Sequence, residues 1–173
     1  MSKYLMGVDP GTVHTGWAVV EVQGSNINRI VAVGETAPPK ASPPKRINEI
    51  IRQLLMVIDA VPMVTEIWTE FFVSYGARKG AMWNTTLVGA LLYLPVTRQR
   101  ENLTCYGMYP ATWKAWLKKQ GGWYEVIQKY AITVPEEVFN EVGENPHIHD
   151  AVCLALYAVY GATDVEQVSN SQD

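Results

Sequence analysis

The sequence predicts one α/β domain, a mixed five-stranded sheet with helices on both faces. Three observations lead there. The chain has 173 residues, the size of one ordinary domain, and can bury about 70% of the surface its unfolded form exposes. Its residues are 48% hydrophobic and 18% charged, which excludes disordered and fibrous classes. Three strand-like runs open the chain, and helical and strand-like runs then alternate. A meander followed by such alternation requires a sheet of mixed direction covered by helices.

Tyr4–Asp9, Thr15–Val22 and Asn28–Thr36 read as strands, with Gly24-Ser25-Asn26 as the turn between the last two. Pro38–Pro44 is a proline-rich loop. Ser42 is placed to cap a helix that has Pro43 at its first position. Ile47, Ile50, Ile51, Leu54, Leu55 and Ile58 recur on one face of that helix. Val64–Phe72 reads as a strand, Gly76–Leu94 as a helix and Leu103–Tyr109 as a strand. Pro110 then opens a short basic helix. The last helix runs from Pro146, behind an Asn145 cap, to Tyr160, with Gly161 as its stop. Residues 1–162 form the expected domain and 163–173 a polar, frayed tail.

Cys105 and Cys153 are too few for a disulfide framework and read as two buried thiols of a reducing compartment. The N-terminus lacks the pattern of a signal peptide. Gly80–Thr97 is uncharged and long enough to raise a membrane span, but Asn84, Thr85 and Thr86 near its middle favour a buried helix. The formal charge of −3 argues against a nucleic-acid binder if it is spread evenly. It is not. Residues 1–73 carry six Lys/Arg against seven Asp/Glu, net −1. Residues 74–119 carry seven against Glu101 alone, net +6, and residues 120–173 carry Lys129 against nine acids, net −8. Trp113, Trp116 and Trp123 interleave with or follow the basic block, and the first two suit helix-face packing.

Asp9 ends an apolar strand, where a lone carboxylate is expensive to bury unless paired or bound to a metal. The plain alternative is a turn aspartate satisfied by backbone N–H groups. Strand alternation puts Glu66, Trp68 and Glu70 on one face, with Glu70 at the strand end. His147 and Asp150 share a face at the start of the last helix, whereas His149 points elsewhere. A carboxylate there is also favoured by the helix dipole alone. Strand-end carboxylates with one imidazole suit Mg²⁺ or Mn²⁺ better than Zn²⁺. Two such ions could activate water and stabilise a phosphodiester's leaving oxygen.

The ordered set Gly7-Val8-Asp9-Pro10-Gly11-Thr12 with Thr15-Gly16, then Glu70, then His147-x-x-Asp150-Ala151 resembles the RuvC family of Holliday junction resolvases. The resemblance runs from Tyr4 to about Tyr160 and implies an RNase H-like fold. It implies that Asp9, Glu70 and Asp150 are catalytic, metal-binding acids, with His147 in the family's fourth position, and that two Mg²⁺ or Mn²⁺ ions serve each site. It also implies a homodimer that cuts four-way junctions with paired symmetric nicks. Met82, Leu87, Ala90, Leu91 and Leu94 are interface candidates, with plain core packing as the alternative. Lys114 matches a basic position near the DNA. The family's second lysine has no direct counterpart, and Lys118 or Lys119 stands nearest. Arg78, Lys79 and Phe72 complete the expected DNA contacts. The position three residues after Glu70, where the family often places an aromatic wedge, is Val73.

That departure leaves room for a diverged, phage-type member that debranches several DNAs. The expected setting is the cytoplasm of a bacterium or phage-infected host, without membrane contact and with any branch-migration or replication partner unspecified. Asp9-x-Gly11-Thr12 also fits the phosphate loop of actin-like and sugar-kinase-type ATPases, but the chain has no second D-x-G. An inactive DNA-binding relative would be expected to lose the acids, and all are retained.

Overall fold

The computed structural model describes residues 2–61, 64–71, 81–97 and 101–162. Three antiparallel strands come first, β1 (Lys3–Asp9), β2 (Thr15–Gln23) and β3 (Asn26–Thr36). The β2–β3 turn is tight: Gln23 pairs with Asn26, and Gly24 takes φ +60°. After helix α1 (Pro43–Ala60), β4 (Val64–Glu70) lies parallel to β1, and β5 (Thr104–Met108) lies parallel to β4. The sheet order is β3-β2-β1-β4-β5.

Helices cover both faces, as the sequence predicts. On one face α1, α2 (Ala81–Leu92) and α3 (Leu94–Thr97) pack on Met6, Val8, Val19 and Ile67. On the other, α4 (Pro110–Gln120), α5 (Trp123–Lys129), α6 (Glu136–Glu144) and α7 (Pro146–Tyr160) pack around Leu5, Ala18, Val20 and Ile30. α7 is the centre of that layer, with Ala151–Tyr157 buried without a break. All but one of the apolar positions predicted for α1 are buried, and Leu55 is half-buried.

Several expectations are corrected. The strand predicted to reach Phe72 ends at Glu70. The helix predicted over Gly76–Leu94 breaks at Tyr93, and its residues 76–80 lie outside the described residues. Ser42 heads α1 through its carbonyl, which accepts from the Arg46 N–H, while its side chain makes no cap. Gly161 follows α7 in the right-handed region rather than as a left-handed cap. Helices α5 and α6 were not anticipated. Their signals were short: Glu136 and Glu137 in a first turn behind Pro135, with Val138 and Val142 four apart. Cys153 is buried, but Cys105 is only half-buried, and burial lifts its thiol to about 12. Leu87, Leu91 and Leu94 belong to the core rather than to an interface. Among the described residues no helix is long and apolar enough to cross a membrane.

Candidate active site

Parallel β1 and β4 end at the same edge of the sheet. Leu5 pairs with Glu66 and Gly7 with Trp68, so alternation carries Asp9 and Glu70 to the face under α7. Both side chains are mostly covered, 17% and 18% exposed. Two glycines let α7 come down onto this edge. A Cβ on Gly7 would stand 2.1 Å from the Ala151 carbonyl oxygen, and one on Gly16 would stand 2.0 Å from the His147 carbonyl oxygen. Asn145 caps α7 as predicted: its Oδ1 accepts from the backbone N–H groups of His147 (2.9 Å) and Ile148 (3.2 Å). The Thr15 hydroxyl donates to the Gly11 carbonyl at 2.7 Å and closes the loop after Asp9.

The side chains meet as two adjoining groups. His147 Nδ1 lies 2.8 Å from Asp9 Oδ2. Beside them, Lys114 Nζ stands 3.1 Å from Asp150 Oδ2 and 3.8 Å from Glu70 Oε2. The buried Trp113 indole N–H donates to Glu70 Oε2 at 2.9 Å. Among the described residues no three His, Cys, Asp or Glu side chains close into a ready-made metal cage. The Lys114 ammonium sits between two of the acids instead, in a place that calls for positive charge. The donor set of three carboxylates and one imidazole fits a hard divalent cation in that place.

The electrostatics carry the same demand. Burial raises the Asp9 carboxyl above the usual range, only partly opposed by the His147 hydrogen bond. Burial likewise raises Glu70, against the pull of Lys114 and Trp113. Burial works to raise Asp150 too, but hydrogen bonds with His149 and Lys114 outweigh it and hold that group low. A raised carboxyl stabilises the fold while protonated, and that stability is lost as pH rises through the folded-state value. At neutral pH the metal-free protein therefore carries unfavourable buried charge at Asp9 and Glu70. Asp9→Asn is expected to raise the metal-free Tm at pH 7 by about 2–4 °C, the shift that ~1 kcal/mol produces at this chain length. The gain should shrink as the pH is lowered toward 4, because protonation of the aspartate relieves the same buried charge. Calorimetry at both pH values checks this, and a Tm lowered at pH 7 would contradict it.

The structure thus brings Asp9, Glu70, His147, Asp150 and Lys114 together. Lys118 lines a cleft of about 360 Å³ with Lys114, Trp113, Leu117, His149 and Asp150. Lys119 is exposed but does not line it, so Lys118 is the lysine that adjoins the site. Phe72, Arg78 and Lys79 lie outside the described residues, as do Arg98 and Arg100. His149 corrects the prediction that it points elsewhere, for its Nδ1 lies 3.0 Å from Asp150 Oδ1. Sequence reasoning took Trp113 as packing alone and passed over His14 and Glu35. The imidazoles of His14 and His147 stack, with ring centroids 5.6 Å apart and planes 8° from parallel. His14 Nδ1 also hydrogen-bonds Glu35, and Asn145 Nδ2 donates to the other Glu35 oxygen. Burial would raise Glu35, but these two bonds outweigh it and hold its carboxyl below the usual range.

Comparison with known proteins gives the family of the chain. The family model described as crossover junction endodeoxyribonuclease RuvC matches residues 5–110. A curated crossover junction endodeoxyribonuclease RuvC of Xanthobacter autotrophicus is 41% identical over 56 residues, 32% of either chain. That of Azorhizobium caulinodans is 40% identical over 55 residues, covering 31% of this chain and 32% of the relative. The match therefore spans about a third of the length of these curated relatives. Among solved structures, T. thermophilus RuvC in complex with Holliday junction substrate superposes with a TM-score of 0.69 at 21% identity, covering 92% of this chain and 96% of that one. The yeast mitochondrial Holliday junction resolvase Ydc2 gives 0.65 at 15% identity, covering 90% and 77%. At such identities the likeness establishes the fold, the RNase H-like sheet with helices on both faces.

Proposed function

The chain belongs to the RuvC family of crossover junction endodeoxyribonucleases, and from that premise we propose that it cuts four-way DNA junctions by metal-dependent phosphodiester hydrolysis. The observation that carries this reading is the convergence at one sheet edge of two adjoining groups, Asp9 with His147 and Glu70 with Asp150 on either side of the Lys114 ammonium. Asp9, Glu70 and Asp150 would hold the divalent cation, Mg²⁺ or Mn²⁺, two ions per site, with His147 as a further ligand or as the group that orients water. Such ions would supply Lewis-acid stabilisation of the attacking and leaving oxygens.

The chain's own groups do the rest. With Asp9 ionised, the His147 Nδ1–H donates a hydrogen bond to the Asp9 carboxylate, which leaves Nε2 as the basic nitrogen able to take a proton from water. Lys114 is positioned to neutralise a phosphate once the acids have another cation. Lys118 extends that positive lining along the cleft. Arg78 and Lys79 of the basic block are further proposed phosphate contacts, and Phe72 a proposed contact to the DNA bases. These phosphate contacts fix position without reading sequence, so recognition rests on the shape of the branch.

The proposed working unit is a homodimer, which presents two sites to the two strands cut. α2 supports this, being mostly apolar outside Asn84, Thr85 and Thr86. With Leu87 and Leu91 turned inward, it leaves Met82 63% exposed, and Val96 of the adjoining α3 is 74% exposed. Residues 1–162 are the proposed functional domain.

The deciding experiment offers the protein a four-way junction, a three-way junction, a flap and linear duplex, each with Mg²⁺ or Mn²⁺, with ATP turnover assayed in parallel. Cleavage of the four-way junction supports the reading. Equal cleavage of every branch would recast the enzyme as a broader debranching nuclease, and ATP turnover without cleavage would overturn it. Binding is also expected to weaken with salt. Log Kobs should fall against log[salt] with a slope of about −0.9 for each phosphate neutralised, and roughly four are expected per subunit. Binding that ignores salt would remove the basic block as the DNA face.

A further inference from the structure

Asp9 pairs with Gly16, and Gly16 pairs with Glu35, so these three residues form one row across β1, β2 and β3. The row lies under the first turn of α7, because the His147 carbonyl rests on Gly16. The helix start is therefore held between two carboxylates. Asp9 meets the His147 ring on one side, and Glu35 meets the Asn145 cap on the other. Glu35 also fixes His14, and the His14 ring lies parallel to that of His147. One carboxylate thereby controls the backbone before His147, through Asn145, and the plane of its imidazole, through His14. Burial alone does not fix these rings, since the His14 and His147 side chains are 49% and 39% exposed.

From this row we infer that Glu35 is a positioning residue, which locks the His147 imidazole with Nδ1 on Asp9 so that Nε2 alone faces the chemistry. The inference rests on the junction-cutting reading above for its consequence in catalysis. Its structural content is independent of that reading. A ring held only by Asp9 can flip about its Cβ–Cγ bond or exchange its proton between nitrogens. Either change removes the basic nitrogen from its place. Positioning groups one step removed from a reacting centre are worth about 10–100-fold when lost.

The test uses the full chain and two variants, Glu35→Ala and Glu35→Gln. Gln can still accept from Asn145 and donate to His14, whereas Ala does neither. Long-range ¹H–¹⁵N correlation on the metal-free protein, with His147 assigned by its loss in His147→Gln, should show a single Nδ1-protonated ring in the wild type. Glu35→Ala should show averaged ring nitrogens, and Glu35→Gln should keep the wild-type signature. With junction DNA, Glu35→Ala should lower kcat by about 10–100-fold at unchanged KM, and Glu35→Gln should stay within about threefold of wild type. A Glu35→Ala protein that keeps both the His147 signature and kcat would overturn the inference. So would a loss of folded protein with normal kcat per folded molecule, which marks a purely structural role. If the wild type cuts no branched DNA, the functional reading fails, while the ring signature still decides the role of Glu35.

Discussion

Asp9→Asn is expected to abolish junction cleavage, by at least about 10³-fold, while the junction still binds with its wild-type affinity. The reason lies in what the substitution keeps. Asparagine has the same shape, and its Oδ1 can still accept from His147 Nδ1. The packing at the end of β1 survives, and the relief of a buried charge makes the metal-free fold more stable rather than less. What disappears is the negative charge that a divalent cation needs. The lysines proposed to contact DNA, Lys114 and Lys118, stand on α4 and are untouched. Glu70→Gln is expected to behave alike, since its amide oxygen can still accept from the Trp113 indole. Gel-shift and cleavage assays on the same junction check both. Full cleavage by either variant would remove that residue from the site, and loss of binding along with cleavage would show a role in DNA contact.

Gly16→Ala is expected to be among the most damaging single methyl additions at the described residues. The added Cβ would meet the His147 carbonyl oxygen at 2.0 Å, and its next neighbours are also backbone atoms that cannot rotate away. The start of α7 must lift off β2. Overpacking of this kind costs about 1–3 kcal/mol, and sometimes more, so Tm should fall by several degrees. The larger effect is on function. The lift moves His147 away from Asp9, and a shift near 1 Å in a reacting group can cost about 10²-fold in rate. Gly143→Ala is the control: it lies in α6, and its Cβ would meet nothing within 4 Å, so it should be neutral or slightly stabilising. Equal Tm and equal cleavage for the two variants would refute the close approach.

The acids were legible in the sequence because each interrupts a hydrophobic run. Asp9 closes β1, Glu70 closes β4, and Asp150 precedes the apolar stretch of α7. A charge at such a place needs an explanation from local sequence alone, and alternation or helical spacing then says which way it faces. The five strands and α1 were legible for the same reason, as periodic patterns several residues long. His14 and Glu35 were not. Their importance comes from lying on opposite sides of an antiparallel register and beneath a helix that starts 110 positions beyond Glu35. No local period encodes that. His149 was misjudged because helical spacing from His147 describes faces, while a side chain can also reach its immediate neighbour. Trp113 was half legible. Its burial follows from spacing with Trp116, but its bond to Glu70 depends on where α4 lands against β4.

The burial of α7 has a consequence for how the protein comes to life. The helix that carries two of the candidate site's side chains at its tip is also the middle of the larger core cluster. Its amides can open to solvent only when that whole layer comes apart, so it belongs to the most cooperative unit of the chain. A molecule with α7 undocked has Asp9 and Glu70 but neither His147 nor Asp150 beside them. During synthesis α7 also emerges last among the described helices. A nascent or partly unfolded copy therefore holds an incomplete set of the proposed metal donors, and under the proposed function cleavage of DNA would wait until folding is finished.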